Sequence, residues 1–216
     1  MSLIVGQPVV IAVDPQQGGS EEGGGIPADM PGRAERGARM IRLVDRAREL
    51  GVPVVFIQEV HKRSMVEIGR ELDGAEGPHC FEDDPKNGFI DGLDPRPEEF
   101  HIRKRRYSAF FGTELEIVLK GYGADTLILF GGLTDVCVHY TAVDGHQHDY
   151  RVRVATDAVG GSSQRAHDAA LEAIEYLQSE ALATTDELVA AMEEWAAGAG
   201  AGDAAAAGGA PAAGTT

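Results

Sequence analysis

Two short apolar runs limit what this chain can fold into. Pro8 to Val13 (PVVIAV) and Leu127 to Phe130 (LILF) are apolar without interruption. A strand with one wet face alternates apolar and polar side chains. An unbroken run instead belongs to a strand covered on both faces, as at the centre of a parallel sheet. Further strands are predicted at Val54 to Gln58, Phe100 to Arg103 and Arg151 to Ala155, with an edge strand at Glu180 to Ala183. Segments with helical spacing lie between them. Arg33 to Leu50 puts Met40, Ile41, Leu43, Val44, Ala47 and Leu50 on one stripe and is stopped by Gly51-Val52-Pro53. Phe111 to Lys120, a helix beginning at Cys137, Ser163 to Gln178, and Leu188 to Trp195 follow. Lys62 to Leu72 is a shorter helical candidate, ahead of an irregular stretch from Asp73 to Glu99 of the kind that builds lids and pocket walls.

This alternation predicts a three-layer α/β/α sandwich around a mostly parallel central sheet, with ligands in the crevice at the carboxyl ends of the strands. Asp14, Glu59, His61, Lys104, Cys137 and Asp157 all fall at or just after predicted strand ends, so the fold gathers them at one edge. One domain is expected over residues 1–195. Residues 196–216 are almost wholly Ala, Gly, Pro and Thr, and are expected to be a disordered tail. The net charge of −16 argues against nucleic-acid or anionic-membrane partners. The apolar run near the N-terminus is too short to span a bilayer. With two cysteines in the chain, a reduced, cytoplasmic setting is expected and both thiols are expected to be free.

Cys137 is the residue around which chemistry can be built. It follows a strand and a Gly131-Gly132 break, where a helix should begin, and a helix N-terminus favours a thiolate. Such a thiol needs a proton acceptor and a cation nearby. Asp14 is the best-placed carboxylate. For the cation, Arg103, Lys104, Arg105 and Arg106 stand in a row, and the pattern alone does not choose among them. The bland readings are a small buried hydrophobe for Cys137 and a turn or cap residue for Asp14. His139 and His146 lie along one predicted helix, facing a subunit partner or solvent, and His167 and Asp168, in the first turn of another, read as surface. The Gly18 to Gly25 loop lacks the Lys-Ser/Thr of a phosphate cradle.

Three blocks, in this order, resemble the isochorismatase-like cysteine hydrolase superfamily: Val13-Asp14-Pro15-Gln16, Lys104 with Tyr107-Ser108-Ala109-Phe110, and Gly131 to Val138. That superfamily includes nicotinamidases, N-carbamoylsarcosine amidohydrolase and biuret hydrolase. The resemblance implies a catalytic triad of Asp14, Lys104 and Cys137, and so selects Lys104 from the basic run. It also implies a cis peptide at Gly132–Leu133 and an oxyanion hole made by the backbone N–H groups of Leu133 and Cys137. The implied reaction is hydrolysis of a C–N bond in a small amide or ureido compound through a thioester, by a homo-oligomer, commonly a dimer or tetramer. Gln16, Glu59, His61, Tyr107 and Phe110 are placed on the substrate side. The basic run and His61 would suit a substrate carboxylate.

Nicotinamidases carry Asp-x-His and Pro-His-Cys where this chain has Glu59-x-His61 and Pro78-His79-Cys80. No metal is favoured, because Glu replaces Asp. If a Zn²⁺ or similar ion is present, Glu59, His61 and His79 are its ligands. A metal-dependent nicotinamidase is therefore one rival reading, and a flavodoxin-like binding scaffold with an inert Cys137 is the other.

Overall fold

The computed structural model describes residues 2–18 and 30–207. Most of the loop expected over Gln16 to Pro31, and residues 208–216 of the expected tail, lie outside the described residues. The elements run β1 (Gln7–Val13), α1 (Arg33–Glu49), β2 (Val54–Glu59), β3 (Phe100–Lys104), α2 (Leu115–Tyr122), β4 (Ala124–Gly132), α3 (His139–Gln147), β5 (Arg151–Gly160), α4 (Gln164–Leu177), β6 (Leu182–Ala183) and α5 (Thr185–Ala207). The strands form one parallel sheet in the order β3-β2-β1-β4-β5-β6.

The period of two along each strand sorts the apolar runs into two cores. Val9, Ile11, Val13, Leu127 and Leu129 face α2, α3 and α4, where Leu115, Leu119, Ala142 and Ile174 meet them. Val10, Ala12, Phe56, Ile128 and Phe130 face α1 and α5, where Leu43, Val44, Leu188 and Met192 meet them. This is the expected three-layer sandwich. Among the described residues, no helix is long and apolar enough to cross a membrane.

Several boundaries differ from the sequence-based expectation. Lys62 to Leu72 is not a helix. Met65 and Gly69 adopt positive φ, which breaks the spiral, and only a 3₁₀ turn at Glu71–Asp73 remains. The helix expected from Phe111 begins at Leu115, because Gly112 at φ 68° still belongs to a turn. The chain after Gly132 enters a π-helical turn, Thr134–Val138, before α3, so Cys137 sits inside an irregular turn. α5 continues past Trp195 to Ala207; its later residues are mostly Ala, the best intrinsic helix former.

The strand order reverses between β1 and β4, and their carboxyl ends frame the crevice expected at such a switch point. Val13 pairs with Ile57 on one side and Gly131 on the other. Gly131 has φ 123°, and a Cβ there would lie 1.8 Å from the Val13 carbonyl oxygen. Only a glycine lets the two backbones close up beside Asp14. Gly131→Ala should therefore cost about 3 kcal/mol or more in chemical denaturation. Gly51→Ala, at φ 72° with nothing within 4 Å, should cost only about 1 kcal/mol.

Candidate active site

The carboxyl ends of β1, β2, β3 and β4 meet around one buried ammonium. In β3 the alternate residues Ile102 and Lys104 turn inward, while Arg103 points out to Glu82 at 2.8 Å. Past the strand end, Arg105 donates to the Val60 carbonyl and Arg106 to that of Glu67. Lys104 is fully buried, and its Nζ lies 2.9 Å from Asp14 Oδ2 and 3.3 Å from Cys137 Sγ. It also donates to the Glu59 carboxylate, its register neighbour on β2. The Cys137 thiol is 3.4 Å from Glu59 Oε2, and Asp14, Glu59 and Cys137 bring their polar atoms within 4.8 Å of one another.

These contacts set the charge states. Burial pushes the Asp14 carboxyl up to about 6 against the pull of Lys104. Burial would also raise Glu59, but Lys104 and hydrogen bonds from His61 and His79 outweigh it and hold Glu59 well below the usual carboxylate range. Burial opposes the Lys104 charge, yet Asp14, Cys137 and Glu59 together keep that ammonium protonated well above its ordinary range. Burial raises the Cys137 thiol, with Lys104 offsetting part of the rise. At rest the group is a thiol held beside two carboxylates and one cation.

The Gly132–Leu133 peptide is cis. Leu133 and Cys137 both line a cavity of about 320 Å³ that also meets Asp14, Glu59, Tyr107 and Glu76. Tyr107 donates to Glu76 Oε2 at 2.9 Å. Burial raises the Glu76 carboxyl.

Other residues placed on the substrate side have different surroundings. Gln16 touches the cavity, but its amide is spent on the protein: Oε1 accepts from the Glu59 N–H at 3.0 Å and Nε2 donates to the Glu59 carbonyl at 3.1 Å. It fixes the backbone that carries Glu59. Phe110 packs against the core and stacks on His148, with ring centroids 5.0 Å apart, away from the cavity lining. His61 is fully buried behind Glu59. His167 is not a surface residue: it is buried, with Nδ1 2.9 Å from Thr134 Oγ1. Asp135 accepts from the backbone and hydroxyl of Ser162 at 2.8 and 2.6 Å. These contacts brace the turn that carries Cys137.

The second carboxylate oxygen of Glu59 faces a different cluster. His79 Nε2 lies 2.8 Å from Glu59 Oε1; His61 Nε2 lies 3.4 Å from the same oxygen and 3.5 Å from Glu71 Oε2. The four side chains are buried and offer donor atoms within 4.8 Å of one another. Both Glu71 oxygens lack a hydrogen-bond partner. Two imidazoles and two carboxylates suit a divalent cation, with Glu71 as a fourth donor beyond the three read from the sequence. The same charges are balanced by protons when no ion is present. Glu59 and Glu71 outweigh burial and lift His61 to about 9, and Glu59 raises His79 as well. Glu71 lies in a stretch whose helical spacing carries no ligand signal. Arg33 and Arg36 at the start of α1 also line the cavity, where the sequence shows only a charged helix end. Cys80 lines it too, and both cysteines are free.

The Isochorismatase domain model matches residues 8–187. The chain belongs to the isochorismatase-like hydrolase superfamily. Within that superfamily it is 30% identical over 186 residues to the ureidoacrylate amidohydrolase RutB of Methylobacterium radiotolerans, covering 77% of this chain and 72% of that one. It is 29% identical over 172 residues to the maleamate amidohydrolase of Pseudomonas putida, covering 76% and 78%. A cysteine hydrolase from Pseudomonas syringae superposes with a TM-score of 0.77 at 26% identity, covering 87% of this chain and 93% of that one.

Lys104 is a fully buried cation shared by Asp14 and Glu59, which makes its removal informative. Lys104→Met should cost about 3–5 kcal/mol in guanidinium unfolding at pH 8, because Asp14 is left as a buried, uncompensated charge and Glu59 keeps only its histidine partners. Without the ammonium the Asp14 carboxyl, raised by burial, titrates higher in the folded than in the unfolded chain. The folded variant then binds more protons, and its deficit against the wild type should shrink as pH falls from 8 to 5.5.

Proposed function

We propose that this superfamily member is a cysteine-dependent amidohydrolase that cleaves a C–N bond in a small amide or ureido compound through a thioester. The observation that carries this reading is the Cys137 thiol 3.3 Å from a buried ammonium that also holds Asp14 at 2.9 Å, with the thiol and the Asp14 carboxylate opening on one cavity. Asp14 takes the thiol proton, and Lys104 stabilises the thiolate. The sulfur attacks the carbonyl carbon, and the developing oxyanion faces the N–H groups of Leu133 and Cys137. Asp14 returns its proton to the leaving nitrogen as the C–N bond breaks. Water, deprotonated by Asp14, then releases the acyl or carbamoyl group and restores the thiol. A carboxyl lifted to about 6 suits this role, since it must both accept and return a proton near neutral pH. The curated relatives named above act, by their names, on ureidoacrylate and maleamate, which are compounds of this size and chemistry. A homo-oligomer, the assembly implied by the resemblance, goes with this proposal.

Ammonia release across ureido acids, carboxamides and biuret-like compounds tests the reading. At least one should be turned over. Cys137→Ala should lower that turnover roughly a thousandfold or more, and iodoacetamide should label Cys137 ahead of Cys80 by peptide mapping. Full turnover in Cys137→Ala would sink the mechanism, and an inert panel with an unreactive Cys137 would leave the binding-scaffold reading standing. The base form of Asp14 disappears as pH drops through about 6, so kcat/KM should fall about tenfold per pH unit below that point.

The Glu59, His61, Glu71 and His79 cluster favours a second reading, in which the same hydrolase holds a divalent cation, as a metal-dependent nicotinamidase would. When bound, such an ion supplies Lewis acidity and a fixed positive charge beside the cavity. Calorimetric titration of EDTA-treated protein with Zn²⁺ should then show one site per chain, lost in His79→Ala. No binding removes this reading. A nicotinamide ammonia-release assay separates a nicotinamidase from the first proposal.

A further inference from the structure

The cavity is electrically lopsided. Its lining carries Asp14, Glu59 and Glu76 around the thiol, while Arg33 and Arg36 come into it from the first turn of α1. Arg36 is half-buried and donates to the backbone carbonyls of Met30, at 3.2 Å, and Pro31. No carboxylate among the described residues lies within ion-pair distance of it. Burial and the neighbouring Arg33 and Arg39 lower its proton affinity more than Glu35 raises it, a cost that a bound anion offsets.

The position of Arg36 is fixed by a glycine. A Cβ on Gly160 would meet Arg36 Nε at 2.6 Å, so the guanidinium lies directly over the end of β5. Gly160 is the register partner of Gly132. The guanidinium therefore stands about one strand spacing, ~5 Å, to the side of the peptide that leads into Leu133. That spacing matches a short linker between a carbonyl at Cys137 and a carboxylate at Arg36. An anionic group turned the other way would meet Asp14, Glu59 and Glu76.

We propose that Arg36, with Arg33 beside it, is the specificity subsite for a substrate carboxylate, so that the substrate class is short ureido or amide acids. The proposal rests on the amidohydrolase reading and moves the anion-recognising charge from the basic run at 103–106 to α1. Guanidinium pairs with carboxylate through charge-assisted hydrogen bonds, often two at once.

The test uses the full-length Cys137→Ala protein and calorimetry, so it does not depend on turnover. Succinamate, maleamate and 3-ureidopropionate are each compared with the neutral compound in which the carboxylate is replaced by a carboxamide. At least one acid should bind tenfold or more tightly than its neutral counterpart, the equivalent of one charge-assisted hydrogen bond. Adding Arg36→Gln should bring that ratio to within about threefold of unity, and Arg36→Lys should retain part of it. Where circular dichroism shows that Arg36→Gln is not folded, Arg33→Gln reads the same ratio. No acid preferred over its neutral partner, or a preference that survives in the folded Arg36 and Arg33 variants, overturns the proposal. Acid preference in a protein whose wild type hydrolyses no compound of the ammonia-release panel leaves the subsite standing and removes the amidohydrolase reading instead.

Discussion

Everything at the carboxyl edge of this sheet depends on the Lys104 ammonium. It is a full charge in a place water does not reach. Such a charge persists only where opposite charges and hydrogen bonds replace its hydration. Asp14, Glu59 and Cys137 do so, from two different strand ends and the turn after β4. Each of the four is in turn held where it is by the others. The closeness of β1 and β4, permitted by Gly131, brings Asp14 and the Cys137 turn to the same ammonium.

Glu59 joins this group to the histidine cluster behind it. One carboxylate oxygen faces Lys104 and the thiol, and the other faces His79 and His61. Aspartate, one methylene shorter, would hold the same two oxygens nearer the β2 backbone. The clamp on its backbone by Gln16 is then understandable: a residue shared by two clusters needs its main chain fixed from outside both. Changes in protonation or loading of the histidine side are felt at Lys104 through a single side chain.

The parts of this site that are legible in the sequence are those tied to strand ends. Asp14 follows an unbroken apolar strand, and Cys137 follows another through two glycines, so their meeting follows from the parallel sheet. Lys104 is different: four cations in a row give no choice by pattern, the family resemblance alone selects Lys104, and the alternation of β3, which turns Ile102 and Lys104 inward, supplies the physical reason. Glu71 and His167 could not be read, because nothing in their local spacing separates a buried polar residue from a solvated one. They are buried by contacts far along the chain, with His61 and Thr134. Phe110 errs in the other direction. It sits near Lys104 in sequence but turns into the core against Tyr150 and His148. The boundaries that moved do so at positive-φ residues, Met65, Gly69 and Gly112, whose backbone states a residue pattern does not encode.

The two walls of the cavity belong to different layers of the sandwich. Cys137 is packed into the core shared by α2, α3 and α4, whereas α1 belongs to the core on the other face of the sheet. The group that cuts and the group that reads are thus anchored in separate hydrophobic interiors, with the sheet between them. Substitutions that reshape α1 and its packing leave the surroundings of the thiol in place. A lineage built on this fold can change what it accepts one helix at a time while its chemistry stays constant, which is a structural route to many substrates from one reaction.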